Sequence, residues 1–236
     1  MKENAEALLR EVYEKYKNSG VASIYLWGSV TTGDFNPETS DIDSVAIVED
    51  STDLTLEDEV KKIVSASNIP VSKFGFRILY KGELNGGPIK SFLARVIDPA
   101  CLLLDLPYWE LVAGNNFSQK DFKLKVPSFK EAISQHVKKF EGFGWLDVSK
   151  IPEKQHKQLM KTCARIIDLE QQERGVESDP FSYSKIYRNS VDGQEKEITK
   201  AILENKNQDF NFAFFALYVP LFQKYVDYLI NKNING

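Results

Sequence analysis

Two short runs of β-branched and aromatic residues constrain the fold of this chain more than any other feature of its sequence. Residues 22–27 lead directly into Gly28-Ser29, which is typical of a strand that ends in a tight turn. Residues 41–48 form the second run, and beyond Asp43 apolar side chains occupy both of its faces, as expected of a central strand. Residues 74–80 form a third run of this kind. The N-terminal part of the chain therefore predicts a small sheet.

Helical patterns surround these strands. Apolar residues at helical spacing predict a helix over residues 3–17, and Thr55-Leu-Glu-Asp58 resembles a capping box that opens a second helix. Residues 89–96 fit either a strand or a short helix, and residues 99–112 read as a helix despite Pro107.

The pattern changes after Pro127 from strand runs to helical ones. The remaining residues read as an all-helical bundle, including a long aromatic helix over about 209–230 with a kink at Pro220. We therefore predict an α/β (α+β) domain with a small mixed sheet over residues 1–126, followed by an all-α helical domain over residues 127–236.

Composition excludes several classes of protein. The 236 residues are 42% hydrophobic and 27% charged, as in ordinary globular chains, and the net charge of −4 disfavours a nucleic-acid binder, whose domain is usually basic. The polar N-terminus predicts a cytoplasmic protein rather than a secreted one. The most apolar stretch, residues 210–222, is too short to span a bilayer, so no membrane association is expected. The two cysteines, Cys101 and Cys163, lack metal-binding spacing and read as core residues.

Charge is distributed unevenly along the chain. Residues 34–60 contain ten acidic residues and no lysine or arginine, whereas residues 119–161 contain ten lysines and five acidic residues. One region could therefore attract divalent cations and the other an anion.

Asp41 and Asp43 are the first candidate site residues. Alternation along a strand places both carboxylates on one face, where they repel each other unless an arginine or a divalent cation neutralises them. A hard ion such as Mg²⁺ suits two carboxylates combined with phosphate oxygens and water.

Gly28 and Ser29 form the second half of the candidate site. Glycine permits close approach of the backbone, and the Ser29 hydroxyl and the following amides, at a predicted helix N-terminus, can donate to phosphate oxygens. Gly33 would allow that helix to pack tightly.

The two halves together resemble the nucleotidyltransferase superfamily typified by DNA polymerase beta. The shared pattern is Trp27-Gly28-Ser29, an eleven-residue spacer over positions 30–40 and Asp41-Ile42-Asp43. Ser44 departs from this pattern, which has a hydrophobic residue there, whereas Gly33 and Ser40 match the form seen in bacterial members.

The resemblance implies a metal-dependent transfer of AMP from ATP to a hydroxyl of a small, aminoglycoside-like molecule, as in bacterial antibiotic adenylyltransferases. It implies that Asp41 and Asp43 hold Mg²⁺ and that Gly28, Ser29 and Ser40 bind the nucleotide. In those enzymes a Ser-Lys pair of the helical domain contacts the triphosphate, and Ser184-Lys185 is the matching candidate.

A third carboxylate, on a later strand facing the aspartate pair, is also implied by the resemblance. Residues 73–80 contain no acidic residue, so Glu83 just past the strand is the predicted general base and Asp98 a more distant substitute. Arg77 could instead neutralise the aspartate pair, as in a non-catalytic copy.

Two alternative functions remain open at this point. The first is an antitoxin-type nucleotidyltransferase that adenylylates or binds a partner protein. The second is a homologue that binds ATP and has lost catalysis. The helical half of about 110 residues favours the two-domain enzyme.

Overall fold

The computed structural model describes residues 1–53, 55–141 and 153–205, together with positions 220, 223, 224 and 227. Most of the predicted helix over 209–230 lies outside these residues. The chain divides into two compact units, Met1–Val126 and Pro127–Gly236.

The first unit combines helices with a four-stranded sheet. Its helices and strands, in chain order, are α1 (Lys2–Tyr16), β1 (Val21–Trp27), β2 (Ile42–Val48), α2 (Leu56–Ser65), β3 (Phe74–Tyr80), α3 (Phe92–Val96), α4 (Pro99–Asp105) and β4 (Glu110–Gly114).

The sheet has the strand order β3-β2-β1-β4. Strand β1 is antiparallel to both β2 and β4, whereas β2 and β3 are parallel. The predicted small mixed sheet is therefore confirmed. Strand β2 lies inside the sheet, and its seven residues are buried except for Asp43, which is half-buried.

Helices α1 and α2 cover one face of this sheet. Alternate side chains of β1, β2 and β3 pack there against apolar residues of both helices, in the order of the strands and then the helices: Ile24, Leu26, Ile42, Ala46, Phe76, Ile78, Leu9, Val12, Val60 and Val64. Because side chains alternate along a strand, Tyr25, Trp27, Asp43 and Gly75 belong to the opposite face.

The predicted helix over residues 99–112 is wrong beyond Asp105. Pro107 lies in a 3-10 turn, and β4 follows it as an antiparallel partner of β1. Contacts from α1 support the strand, because Arg10 donates to the Val112 carbonyl oxygen at 2.5 Å and Lys2 pairs with Glu110 at 2.6 Å. These contacts are remote in sequence and override the local helical pattern.

The capping box predicted at Thr55 is also wrong. Thr55 has helical dihedral angles (φ −62°, ψ −14°), and its side chain makes no capping hydrogen bond. The Asp53 carboxylate instead accepts the Thr55 amide at 2.9 Å, just before the helix begins. An N-cap side chain acts from an extended residue, which Thr55 is not.

The described part of the second unit is helical, as predicted. It contains α5 (Phe129–Glu141), α6 (Glu153–Glu173), α7 (Tyr183–Asn189) and α8 (Gln194–Asn205). Both cysteines of the chain are buried free thiols. No helix in the described ranges has the length and apolar character needed to cross a membrane.

Gln171 on α6 connects three parts of the second unit. Its side-chain amide donates to the Ile186 carbonyl oxygen at 2.9 Å and to Glu195 at 3.1 Å, while its own oxygen accepts the Ser178 hydroxyl at 3.0 Å. The residue is fully buried. These bonds hold α7 and the start of α8 against α6, since a buried amide left without partners is costly.

Glu195 also forms a bidentate ion pair with Arg174. Both distances are 2.9 Å, and the Glu195 side chain is only 4% exposed. Both oxygens of Glu195 therefore accept charged or amide donors in a buried setting, where such bonds stabilise more than they do at the surface.

We expect Glu195→Gln to lower the free energy of unfolding by about 1.5–3 kcal/mol, because the new amide group faces a donor. Glu204→Gln is the matched control, since Glu204 pairs with Lys200 at 3.8 Å and both side chains are more than half exposed. That control should change stability by less than about 0.5 kcal/mol. Chemical denaturation measures both, and equal effects would contradict a stabilising role for the buried pair.

Candidate active site

Strand β1 ends in a tight turn at Gly28. Trp27 is still extended, Gly28 has φ +79° and a four-residue 3-10 turn covers Gly28–Thr31. A side chain at position 28 would be strained at this φ, so the turn depends on glycine. The helix predicted after Ser29 is thus a single 3-10 turn. Among the described residues, no atom lies within 4 Å of a Cβ added to Gly33, so its predicted role in tight packing is wrong.

The two aspartates lie where β2 begins. Asp41 immediately precedes the strand and is exposed, whereas Asp43 is its second residue and is half-buried. Within the sheet, Asp43 is paired with Trp27 of β1 on one side and with Gly75 of β3 on the other. The end of β1, the start of β2 and the start of β3 therefore meet at Asp43.

The carboxylate of Asp43 lies between two glycines. A Cβ added to Gly28 would lie 3.5 Å from Asp43 Oδ2, and one added to Gly75 would lie 2.6 Å from Asp43 Oδ1. The first distance is ordinary contact, whereas the second is a clash. The Asp43 carboxylate therefore occupies the space that a side chain at residue 75 would take.

Two serines fix the backbone around the aspartates. The Ser40 hydroxyl accepts the Asn36 amide at 3.0 Å, which closes the loop that leads into β2. The Ser44 hydroxyl donates to the Gly75 carbonyl oxygen at 2.9 Å and is fully buried. Ser44, the departure from the family pattern, therefore joins β2 to the start of β3. The predicted nucleotide contact of Ser40 stays a prediction.

Three aromatic rings form a stack that ends at the site. Trp109 meets Tyr25 and Trp27 edge-on, each at a centroid distance of 5.8 Å. The Tyr25 hydroxyl donates to the Asn115 carbonyl oxygen at 2.9 Å and accepts the Phe117 amide at 2.8 Å. Burial raises the pKa of Tyr25. This stack holds Trp27, the strand neighbour of Asp43, in a packed position.

Glu83, the predicted general base, is buried to 1% exposure and accepts four hydrogen bonds. One oxygen accepts the Lys90 and Ser91 amides, both at 2.6 Å. The other accepts the Tyr80 amide at 2.9 Å and the Ser91 hydroxyl at 2.8 Å. These contacts join the end of β3 to the start of α3 and favour a structural role. Its role as a base stays a prediction that this geometry does not support.

The other two residues weighed for this part of the site have different roles. Asp98 caps α4, because its carboxylate accepts the Ala100 amide at 2.8 Å. Arg77 pairs with Glu57 at 3.6 Å and lies over the Phe92 ring. Within the described residues, Arg77 therefore neutralises Glu57 rather than the aspartate pair.

Lys185 belongs to helix α7 of the second unit. Its ammonium group pairs with Glu177 at 2.8 Å and lowers the pKa of that carboxyl group. The neighbouring Ser184 hydroxyl lies 3.3 Å from that of Ser182, the N-cap of α7. The predicted contact of Lys185 with the triphosphate stays a prediction.

The structure brings four of the predicted residues together: Gly28, Ser29, Asp41 and Asp43. Sequence reasoning missed Gly75, because a glycine at the start of a strand carries no signal until the register of β2 and β3 is known. It noted Ser44 as a departure from the pattern without finding its bond to β3.

The residues at the start of β2 fit a hard divalent cation. Asp41 and Asp43 supply carboxylate oxygens, and the glycines on both sides of Asp43 leave room for its carboxylate. In the part of the chain that the structure describes, no cluster of three or more His, Cys, Asp or Glu residues could hold a metal. For Mg²⁺, phosphate oxygens of a nucleotide and water are the usual further ligands.

Comparisons with known proteins bear on the family and the fold of this chain. A family model for the nucleotidyltransferase domain matches residues 5–97. No curated protein sequence matches the chain. Among solved structures, the fold is similar to that of spectinomycin adenyltransferase from Enterococcus faecialis, solved with ATP and spectinomycin, with a TM-score of 0.53 and 12% sequence identity. The match covers 96% of this chain and 97% of that one.

The match of the family model lies within the first unit, which is therefore similar in sequence to nucleotidyltransferase domains over residues 5–97. The second unit extends the likeness, because the match to spectinomycin adenyltransferase covers nearly the whole of both chains. The fold of the chain thus resembles that of spectinomycin adenyltransferase over both units.

We expect Glu83→Gln to lower the free energy of unfolding by about 1.5–3 kcal/mol, because an amide NH₂ would face one of the four donors now bound by the carboxylate. Glu49→Gln is the control, since Glu49 forms an exposed pair with Lys81 at 2.8 Å. Thermal and chemical unfolding measure the difference. A Glu83→Gln protein of unchanged stability that has lost nucleotidyl transfer would instead support the general base.

Proposed function

We propose that this protein is a divalent-metal-dependent nucleotidyltransferase that transfers AMP from ATP to a hydroxyl of a small, aminoglycoside-like molecule. The observation that carries the proposal is the convergence of the Gly28-Ser29 turn with Asp41 and Asp43, through the pairing of Trp27 with Asp43. The bound molecules of the similar spectinomycin adenyltransferase, ATP and spectinomycin, support this choice of donor and acceptor.

Each residue of the proposed site has a distinct task. Gly28 lets a phosphate group approach the backbone, while the Ser29 hydroxyl and the neighbouring amides donate to its oxygens. Ser40 holds the loop that precedes Asp41 and contributes to nucleotide binding. We expect the Lys185 ammonium group to bind the triphosphate, for which it would leave its ion pair with the exposed Glu177.

Asp41 and Asp43 would hold Mg²⁺. When bound, the ion offsets the negative charge of the phosphates and acidifies the attacking hydroxyl. The two aspartates would hold the ion at the start of β2, and the aromatic stack that ends at Trp27 keeps Asp43 in place. Positioning of this kind accounts for most catalysis in phosphoryl transfer.

A second candidate function is nucleotide binding without transfer. One observation favours it: Gly75 stands beside Asp43 on the strand where the family resemblance implies a third carboxylate. Glu83, the nearest substitute by sequence, is occupied by four donors of its own chain.

Mass spectrometry with labelled ATP, Mg²⁺ and a panel of aminocyclitol and aminoglycoside acceptors tests the proposal. An adenylylated small molecule is the expected product. Binding of ATP with no product would favour the second candidate, and a labelled protein band would indicate a protein acceptor.

We expect the Asp41→Asn, Asp43→Asn double variant to remain folded, or to gain thermal stability, and to lose Mg²⁺-dependent ATP binding. Removal of two neighbouring like charges relieves their repulsion, whereas the loss of both carboxylates removes the metal ligands. Calorimetric titration of ATP with and without Mg²⁺ provides the measurement.

The matched control for this variant is Asp58→Asn, Glu59→Gln. It removes the same two charges from an exposed surface of α2. Its ATP affinity should equal that of the natural protein. Unchanged affinity in the Asp41, Asp43 variant would contradict the metal-site assignment.

We expect Lys185→Ala to weaken ATP binding by about 1–3 kcal/mol, the usual range for a charge-assisted contact, and to leave AMP binding nearly unchanged. Lys200→Ala is the control, because Lys200 is an exposed lysine of α8. Titrations with both nucleotides distinguish the outcomes. Equal losses for ATP and AMP would place Lys185 at the sugar, the base or the fold, and no loss would remove it from the site.

A further inference from the structure

The surroundings of the Asp43 carboxylate single out one residue of strand β3. Gly75 is the direct strand partner of Asp43, and a Cβ at position 75 would lie 2.6 Å from Asp43 Oδ1 and 3.7 Å from its Cγ. Real Cβ atoms do not approach an oxygen this closely, so a side chain at position 75 and the present direction of the Asp43 carboxylate exclude each other.

Strand β3 has little freedom to relieve such a clash by moving away. The buried Ser44 hydroxyl donates to the Gly75 carbonyl oxygen at 2.9 Å, and the parallel register of β2 and β3 continues without a shift from Ile42 and Phe74 to Val48 and Tyr80. The Asp43 side chain is the more mobile partner, because it can rotate about its own bonds. The clash would therefore turn the carboxylate and leave the strand in place.

The opposite side of the carboxylate is already limited by Gly28. An added Cβ there would lie 3.5 Å from Asp43 Oδ2, and Gly28 itself forms the turn that leads to Ser29. The present direction of the carboxylate is thus compatible with glycine at both position 28 and position 75, where no Cβ presses on its oxygens. Gly28 is required by the turn, whereas the φ of Gly75 lies outside the left-handed region and makes no such demand.

We propose that Gly75 is a positioning residue, which by lacking a side chain keeps the Asp43 carboxylate turned for the metal-bound nucleotide. This inference rests on the proposed function of Asp43. The strand register supplies the reason for a glycine here, since glycine inside a strand otherwise weakens it.

A double-mutant cycle between Gly75→Ala and Asp43→Ala tests the proposal. In the natural protein, Gly75→Ala should lower the Tm by at least about 2 °C. In the Asp43→Ala background the same change should leave the Tm unchanged or raise it, because alanine restricts the unfolded chain more than glycine and no carboxylate opposes its Cβ. This readout is independent of any enzymatic activity.

Nucleotide affinity is the second readout of the cycle. Gly75→Ala should weaken Mg²⁺-dependent ATP binding about tenfold or more in the natural protein and should have no further effect in Asp43→Ala. Gly33→Ala is the matched control, because an added Cβ at Gly33 meets no atom of the described residues within 4 Å. It should change neither the Tm nor the affinity.

Three results would overturn the inference. Equal Tm shifts in both backgrounds would show that Gly75 acts on the backbone rather than on Asp43. Natural affinity in Gly75→Ala, with loss in Asp43→Ala, would remove Gly75 from the site while leaving the proposed function intact. Natural affinity in Asp43→Ala itself would overturn the proposed function, and the inference with it.

Discussion

The pairing of strand β2 on both of its edges is the constraint on which the candidate site depends. Because β1 is antiparallel to β2, the last residues of β1 lie beside the first residues of β2. Because β3 is parallel to β2, the first residues of β3 lie there too. Three strand ends therefore meet at Asp43, and this meeting places Gly28 on one side of its carboxylate and Gly75 on the other.

The burial of the central strands explains how much of the fold could be predicted. Strands β1, β2 and β3 were predicted to within one residue at each end, because apolar runs bounded by turn residues are strong local signals. Strand β4 was missed, since only Val112 among its five residues is buried and its pairing with β1 is remote in sequence. The helical second unit was predicted from periodicity alone.

The residues of the candidate site likewise differ in whether local sequence was enough to predict their roles. Asp41 and Asp43 could be predicted as a pair because strand alternation is a local rule. The role of Glu83 could not, since the donors that occupy its carboxylate come from Lys90 and Ser91, beyond a turn, as well as from β3. The register that places Gly75 beside Asp43 is likewise set by pairing between strands about thirty residues apart.

The acidic residues of this chain show how one functional group serves two purposes. Glu83 and Glu195 are buried, and their oxygens accept donors from their own unit, so a ligand could bind there only after those hydrogen bonds were broken. Asp41 is exposed at the start of a strand, where binding a cation displaces mainly water. Loss of a buried, hydrogen-bonded charge costs stability, whereas we expect loss of the two charges at the start of β2 to relieve repulsion. Of these three residues, Asp41 is therefore the one whose carboxylate is exposed to a ligand, whereas the carboxylates of Glu83 and Glu195 are occupied by hydrogen bonds within their own units.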